Sequence, residues 1–212
     1  MPFREYETKV IVANEEKLLM QFQQLGATLL KRVIQRDCYY DSNYKLTKKD
    51  QLLRIRTEET IDTHEFKMGE FSWKSGRKGK SYEVREDISI SLTSSEAVFT
   101  LEIILNRLGF RKFVWLVKYR DRWVINDVEF EFDQNIVAQT INRPQKKIGS
   151  YLQATIETER EYPSNQIREI LWNSLKQLGF NRTHLRRESY IELYLLQLNE
   201  LDFLHLLKKQ DL

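Results

Sequence analysis

The 212-residue chain carries 34 Lys and Arg against 31 Asp and Glu, and its net charge of +3 is too small for a general nucleic-acid-binding protein. Its single cysteine, Cys38, excludes an intramolecular disulfide and a metal cluster built from cysteines. No apolar run has the length of a membrane span, and we expect a cytoplasmic protein. The length predicts one domain over residues 1–212, whose helical C-terminal segment, residues 163–212, packs on the rest or closes it.

Three stretches with helical periodicity each end at a Leu-Gly pair: Leu25-Gly26, Leu108-Gly109 and Leu178-Gly179. Apolar residues three and four apart give each helix one hydrophobic face, and glycine favours the left-handed conformation that ends a helix. Thr93 and Glu96 have the spacing of a capping box at the start of the second helix. We therefore predict two helices against a sheet and a third that opens the helical C-terminal segment.

Alternating side chains predict about eight β-strands around these helices. So many antiparallel strands in a chain of this length favour a barrel or a strongly curved sheet, and hence an α+β fold with flanking helices. The alternation extends over residues 3–12, 52–58, 64–74, 81–90, 112–122, 128–133 and 151–161.

The polar faces of these strands carry an unusual pattern of charge, because basic and acidic residues are largely segregated by strand. One interpretation is a set of solvated faces with cross-strand ion pairs. The other is a sheet curled with its charges inward, forming a polar tunnel that needs bound ions to compensate them. Arginine and lysine then fit the oxygens of a polyphosphate, and grouped carboxylates fit Mg²⁺ or Mn²⁺. The charged faces are Glu5/Glu7/Lys9, Arg54/Arg56, Glu83/Arg85/Asp87, Lys118/Arg120/Arg122, Glu129/Glu131/Asp133 and Glu157/Glu159.

Several short motifs follow one another in order along nearly the whole chain. They are Glu5-Tyr6-Glu7-Thr8-Lys9, Arg54-Ile55-Arg56, Trp73-Lys74, Arg85-Glu86-Asp87, Lys118-Tyr119-Arg120 with Trp123, a strand ending in Asp133, and Arg187-Glu188-Ser189-Tyr190-Ile191-Glu192-Leu193. In this order they resemble the CYTH superfamily, also called triphosphate tunnel metalloenzymes. That family includes class IV adenylyl cyclases, thiamine triphosphatases, inorganic tripolyphosphatases and some RNA triphosphatases.

The resemblance implies an eight-stranded antiparallel barrel, the triphosphate tunnel, which uses a divalent cation, Mg²⁺ or Mn²⁺. It implies catalytic roles for Glu5, Glu7 and Lys9, and it implies that Glu5, Glu7 and Asp133 hold the metal. The residues that it implies for binding the triphosphate are Lys9, Arg54, Arg56, Lys74, Arg85, Lys118 and Arg120.

The strand that follows Asp133 departs from the family pattern. The family has two acids on this strand, and the present chain has Gln153 and Thr155 in their place. Glu157 and Glu159 lie further along on the same face, so that either they supply metal ligands after a shift in register or one metal site is weakened. The segment between Asp133 and this strand is also predicted to be a longer loop than the family norm.

Three functions stay open from the sequence. The first is a metal-dependent phosphohydrolase acting on tripolyphosphate, a nucleoside triphosphate or thiamine triphosphate. The second is a class IV-type adenylyl cyclase that converts ATP to cyclic AMP and pyrophosphate, and the third is a non-catalytic polyphosphate- or nucleotide-binding module. In each case we expect a small triphosphate as the ligand and no association with a membrane. We expect a monomer or a homodimer, and an RNA 5′-triphosphate end stays open as a substrate.

Overall fold

The structure is a computed structural model of the chain. It describes residues 4–76, 86–141, 143–158 and 164–198, and of residues 4, 5, 157, 158, 164 and 165 it describes the backbone alone. Two predicted site residues, Arg85 and Glu159, therefore lie outside the described residues. Two others, Glu5 and Glu157, have a backbone position only.

The described residues form a sheet of nine strands, eight of them long and the ninth only two residues. The strands are β1 (Arg4–Ile11), β2 (Thr28–Asp41), β3 (Leu52–Glu59), β4 (Phe66–Lys74), β5 (Asp87–Leu92), β6 (Arg111–Ile125), β7 (Val128–Thr140), β8 (Lys146–Thr158) and β9 (Leu185–Arg186). The eight long strands agree with the predicted number, although none of the seven alternating ranges covers β2, and the predicted α+β class is confirmed.

Neighbouring strands pair antiparallel in the order β5-β4-β3-β2-β6-β7-β8-β1-β9. Within the described residues β5 and β9 are the two ends of this order and do not pair, so the sheet is not closed into the predicted barrel. A sheet curled around one face is nevertheless consistent with the burial of charged side chains on that face, which is described below.

Five α-helices and one 3₁₀ turn accompany the sheet in the described ranges. They are α1 (Glu15–Gln24), α2 (Lys45–Lys48), α3 (Ser95–Arg107), α4 (Ser164–Gln177), the 3₁₀ turn Arg182–His184, and α5 (Tyr190–Gln197). The three predicted Leu-Gly ends are confirmed, because Gly26, Gly109 and Gly179 follow α1, α3 and α4 with φ angles of 69, 86 and 81°. None of the described helices has the length and the apolar content that crossing a membrane requires.

The predicted start of α3 is wrong by one residue. Ser94, and not Thr93, is the N-cap, and its Oγ accepts a hydrogen bond from the backbone N–H of Ala97 at 3.1 Å. Serine and threonine both cap helices well, so that two adjacent candidates cannot be separated by sequence alone.

Much of the outer face of the sheet is apolar and packs against helices. Phe22 of α1 and Leu171 of α4 pack with Phe130 of β7 in one cluster, and Leu105 of α3 packs in another with Ile55 of β3. Successive side chains of a strand point to opposite faces. The charged side chains that alternate with these apolar residues must therefore point to the other, inner face.

The inner face changes character along β6 and β7. Val114 and Leu116 of β6 and Ile136 and Ala138 of β7 are buried, and α5 packs with them through Tyr194. Further along the same strands, the inner face carries lysine, arginine and aspartate instead. Helix α5 therefore lies at one end of the inner face, next to its charged region.

The loop predicted after Asp133 is wrong for most of its length. β7 continues to Thr140 and β8 begins at Lys146, so the segment is largely paired strand. A register shift between Asp133 and Ile136 interrupts the pairing, and Asn135 there has a φ of 50°. This extension of the hairpin supplies part of the apolar surface on which α5 packs.

Candidate functional site

Charged and polar side chains from three adjacent strands are enclosed on the inner face. Gln35 and Asp37 of β2, Lys118 and Arg120 of β6, and Asp133 of β7 are each at most 2% exposed. Taking so much charge out of water is costly unless each group is paired. The interpretation of these strands as solvated faces therefore does not hold for this region, and the interpretation of inward-facing charge does.

Asp133 is the centre of this buried network. Arg120 donates to both of its carboxylate oxygens at 2.6 Å, and Lys118 Nζ and Tyr190 Oη donate to Oδ2 at 2.9 and 2.7 Å. Burial would raise the pKa of Asp133, but Arg120 and Lys118 outweigh it and hold the pKa well below its usual range. Burial and then Arg120 lower the pKa of Lys118 to about 8, although Asp133 and Asp37 oppose the shift.

Asp37 forms a second centre in the same face. Arg56 of β3 donates to its two carboxylate oxygens at 2.6 and 3.0 Å, and Lys118 Nζ lies 3.9 Å from Oδ2. Burial would raise the pKa of Asp37, but Arg56, Arg54 and Lys118 outweigh it and lower the pKa below its usual range. Burial opposes the charge on Arg56, yet Asp37 raises the pKa of this guanidinium above its usual value.

Two more predicted phosphate-binding residues are paired near the β5 end of the sheet. Arg54 Nη2 donates to Glu70 Oε1 at 2.7 Å, and Lys74 Nζ lies 2.8 Å from Asp87 Oδ2. Arg54 is buried, whereas the Lys74 side chain is 22% exposed. The row of bases therefore extends from the enclosed centre of the sheet to its more open edge.

Acids and bases that are segregated along the sequence meet across the strands. Arg120 and Arg122 of β6 lie opposite Asp133 and Glu131 of β7 in the register, and Glu131 forms ion pairs with both arginines. Burial would raise the pKa of Glu131, but Arg120 holds it below its usual range. An anionic ligand on this face would therefore have to replace carboxylates as the partner of the bases.

Tyr190, the first residue of α5, reaches into the charged region. Its ring lies 4.6 Å from Lys9 Nζ and 4.9 Å from Lys118 Nζ, and its hydroxyl donates to Asp133. Lys9 Nζ also donates to the backbone carbonyl of Glu188. Burial and then Asp133 raise the pKa of Tyr190 well above its usual value, so that its hydroxyl stays a donor. Tyr190 of α5 thus contacts residues of β1, β6 and β7 at once.

Gln153, one of the two positions that depart from the family pattern, links an acid to a base. Its Nε2 donates to Glu7 Oε1, and its Oε1 accepts from Arg120 Nη2 at 3.1 Å. In the register Gln153 is opposite Lys9, Thr155 is opposite Glu7, and Glu157 is opposite Glu5. No shift in register therefore brings Glu157 opposite Glu7.

The predicted metal ligands are only partly described. Among the described residues no group of three or more His, Cys, Asp or Glu side chains is placed to hold a metal. Asp133 already accepts hydrogen bonds from three side chains, and the side chains of Glu5, Glu157 and Glu159 are not described. The metal-binding role of these residues stays a prediction.

The sequence did not predict the contacts of three residues that hold the network together: Asp37, Glu131 and Tyr190. Glu131 stands among the predicted acids, but nothing in its pattern shows that two arginines bind it. Asp37 shares strand parity with Gln35, and its pairing with Arg56 could have been found only from the β2–β3 register. Tyr190 belongs to a recognised motif, but its contacts depend on how α5 packs.

Comparison with known proteins identifies the family. The model of the CYTH domain matches residues 4–190. The curated "Putative adenylate cyclase" of Methanocaldococcus jannaschii is 25% identical over 194 residues, which are 89% of this chain and 97% of that protein. The chain therefore belongs to the CYTH family, as its motifs predict.

Solved structures share the fold. The PH1819 protein of Pyrococcus horikoshii has a TM-score of 0.71 at 20% identity, with 91% of this chain and 99% of that chain covered. The "putative adenylate cyclase" of Vibrio parahaemolyticus has a TM-score of 0.70 at 16% identity, with coverage of 90% and 97%. The "Putative adenylyl cyclase" of Hippeastrum, described as revealing a dominant triphosphatase activity, has a TM-score of 0.57 at 15% identity, with coverage of 92% and 96%.

Proposed function

We propose that this CYTH protein is a divalent-metal-dependent phosphohydrolase that acts on a triphosphate. The observation that carries the proposal is the inner face, on which lysine and arginine side chains from β1, β3, β4 and β6 are held in fixed pairs. Inorganic tripolyphosphate, nucleoside triphosphates and thiamine triphosphate are the candidate substrates. Membership of the CYTH family and the triphosphatase activity named for the Hippeastrum protein support the same class of substrate.

Binding would exchange carboxylate partners for phosphate oxygens. Arg56 and Arg120 hold Asp37 and Asp133 through two parallel hydrogen bonds each, and a guanidinium binds phosphate in the same bidentate way. In hydrolysis water adds to a phosphorus atom, and the bond from that phosphorus to the oxygen of the leaving phosphate breaks. Cations that are fixed before the reaction stabilise the charge that develops on this oxygen, and we assign Lys9 to this role.

The acidic end of β1 supplies the residues that would hold Mg²⁺ or Mn²⁺. Glu5 and Glu157 are opposite each other in the β1–β8 register, and Glu7 follows two residues later on the same face of β1. Carboxylate oxygens are the ligands that these cations prefer. A cation bound there would add positive charge beside the phosphate oxygens. Asp133 is a further predicted ligand, provided that it leaves some of its present partners.

A substrate panel tests the proposed reaction. ATP, GTP, tripolyphosphate and thiamine triphosphate are each incubated with Mg²⁺ or Mn²⁺, and products are identified by phosphate release and nucleotide chromatography. We expect orthophosphate, and we expect Glu7→Ala to abolish its release while tripolyphosphate still binds, because the basic residues remain. The exposed Glu16 of α1 gives the control variant Glu16→Ala, which should keep full activity. Full activity of Glu7→Ala would show that the metal assignment is wrong.

A class IV-type adenylyl cyclase is the second candidate. The name of the Methanocaldococcus jannaschii relative, adenylate cyclase, favours it. The same bases would bind the triphosphate of ATP, and the ribose 3′-hydroxyl would attack the α-phosphorus and expel pyrophosphate. Cyclic AMP with pyrophosphate in the same panel would establish this reaction in place of hydrolysis.

A non-catalytic polyphosphate- or nucleotide-binding module is the third candidate. The amide of Gln153 and the hydroxyl of Thr155 stand where the family has acids, and this favours binding without turnover. Tight binding of tripolyphosphate with no product under either cation would support it.

The predicted cellular location, oligomeric state and kind of substrate rest on the sequence alone. We expect the protein to act in the cytoplasm as a monomer or homodimer, on a small triphosphate. An RNA 5′-triphosphate end stays open as a substrate, because the inner face would recognise the triphosphate and not the group attached to it. Adding a short 5′-triphosphorylated RNA to the substrate panel tests this extension directly.

A further inference from the structure

Within the described residues, two hydrogen-bond donors on the β3–β4 side of the inner face are buried without a hydrogen-bond partner. They are Nε of Arg54 on β3 and Oγ of Ser72 on β4, and Ser72 is 0% exposed. A buried donor that lacks an acceptor is costly, so that a bound state that supplies an acceptor is favoured. The Ser72 hydroxyl belongs to none of the charged motifs described above.

The two donors are neighbours across the strands. Arg54 is opposite Ser72 on one side and opposite Tyr39 of β2 on the other. Directly opposite residues have Cβ atoms about 4.5–5.5 Å apart, so that the side chains of Arg54 and Ser72 can reach one acceptor. Burial and then Asp37 raise the pKa of Tyr39 to about 12, although Arg54, which forms a hydrogen bond with the Tyr39 side chain, opposes the shift. Lys74 lies two residues beyond Ser72 on the same face of β4.

Glu70 is the acceptor that now lies beside these donors. Its Oε1 accepts a hydrogen bond from Arg54 Nη2 at 2.7 Å, but Arg54 Nε has no acceptor. The Glu70 side chain is 28% exposed. A carboxylate with that exposure can turn toward solvent when a ligand arrives. A phosphate group has more acceptor oxygens than a carboxylate, so that it could accept from Nη2, Nε and the serine hydroxyl together.

We propose that Ser72 is a substrate-binding residue, whose hydroxyl and Arg54 Nε bind one oxygen of a phosphate group that displaces Glu70. The proposal rests on the proposed triphosphate-binding function and adds a neutral donor to the predicted phosphate-binding residues, which are all lysine or arginine. The ligand is a phosphate of inorganic tripolyphosphate or of a triphosphorylated molecule. Ser72 therefore contributes to affinity at the β3–β4 side of the inner face.

Calorimetric titration with tripolyphosphate tests the proposal on the full chain. We expect Ser72→Ala to weaken binding about tenfold, as for the loss of one charge-assisted hydrogen bond, and Ser72→Thr to keep affinity within about threefold. Ser174→Ala is the matched control, because the Ser174 hydroxyl binds the Ile170 carbonyl within α4 and should leave affinity unchanged. The melting temperature of each variant separates a loss of binding from a loss of folding.

The outcomes separate this proposal from the proposed function. If wild-type protein binds tripolyphosphate and Ser72→Ala binds equally well, the Ser72 assignment is overturned and the proposed function stands. If Ser72→Thr loses as much affinity for tripolyphosphate as Ser72→Ala, the missing hydroxyl does not explain the weaker binding, and the assignment is also overturned. A wild-type chain that binds no tripolyphosphate overturns both. The double variant Arg54→Lys/Ser72→Ala should lose less affinity than the product of the fold-losses of the two single variants, because both side chains bind the same phosphate oxygen. A loss equal to that product would overturn the shared acceptor.

Discussion

Asp133 shows how much of the inner face depends on a single side chain. It accepts hydrogen bonds from Arg120, Lys118 and Tyr190, which come from a strand and a helix far apart in sequence. All four residues are buried, so that none of the three donors can turn to bulk water if the carboxylate is lost. The network therefore stabilises the fold, and under the proposed function it would also hold the cations in place for a phosphate.

Replacing this carboxylate should be strongly destabilising. We expect Asp133→Ala to lower the free energy of unfolding by about 3–5 kcal/mol, because it leaves buried cations without their partner. Urea unfolding followed by circular dichroism measures the change, and the exposed Asp62→Ala serves as the control. A loss below about 1 kcal/mol would mean that the cations find other partners in the folded chain.

The buried Asp37 should make stability depend on acid pH. Its pKa is lowered in the folded chain, so that its contribution is complete above the ordinary value of 3.8 and is lost as the pH falls below it. We expect Asp37→Asn to reduce the slope of unfolding free energy between about pH 4 and 2 by up to about 1.4 kcal/mol per pH unit. Urea unfolding at several pH values measures this slope. Asp62→Asn should keep the wild-type slope, and a wild-type slope in Asp37→Asn would contradict the assigned pKa direction.

At the scale of elements, α5 is the part that sequence analysis could predict least. Its hydrophobic run requires a surface to pack on, but the part of that surface that holds Ile136 and Ala138 was predicted to be a loop. By contrast, the Leu-Gly ends of α1, α3 and α4 were predictable, because a C-cap depends on a few adjacent residues. Local signals identify helix ends, whereas the docking of α5 depends on contacts between distant segments.

The start of α5 carries a capping box whose loss should be measurable. Ser189 Oγ accepts from the Glu192 N–H at 3.2 Å, and the Glu192 carboxylate accepts from the Ser189 N–H at 2.7 Å. We expect Ser189→Ala to cost about 1 kcal/mol and to speed hydrogen exchange in Tyr190–Gln197. Ser95→Ala in α3 is the control, because Ser94 is the cap of that helix. Unchanged stability and exchange would mean that packing alone fixes the start of α5.

At the scale of the whole molecule, strand alternation predicts which residues share a face but not which ones pair. The bases Arg56, Lys118 and Arg120 were predicted as one group from alternation and motif order. Their partner Asp37 was not, because its pairs depend on β2 lying between β3 and β6, which are distant in sequence. The inner face could therefore be predicted from the sequence, whereas the pairing of its acids with its bases could be seen only from the order of the strands.

The most direct test of the account is whether the inner face binds a triphosphate. Lys74 and Lys67 both lie on β4, but Lys74 shares the inner face with Ser72, whereas Lys67 is exposed and lies at the register shift between β3 and β4. Tripolyphosphate is titrated calorimetrically into wild-type protein, Lys74→Ala and Lys67→Ala. We expect binding by the wild type, a loss of about 1–2 kcal/mol in Lys74→Ala, and no loss in Lys67→Ala. No binding by the wild type, or equal losses in the two variants, would contradict the account.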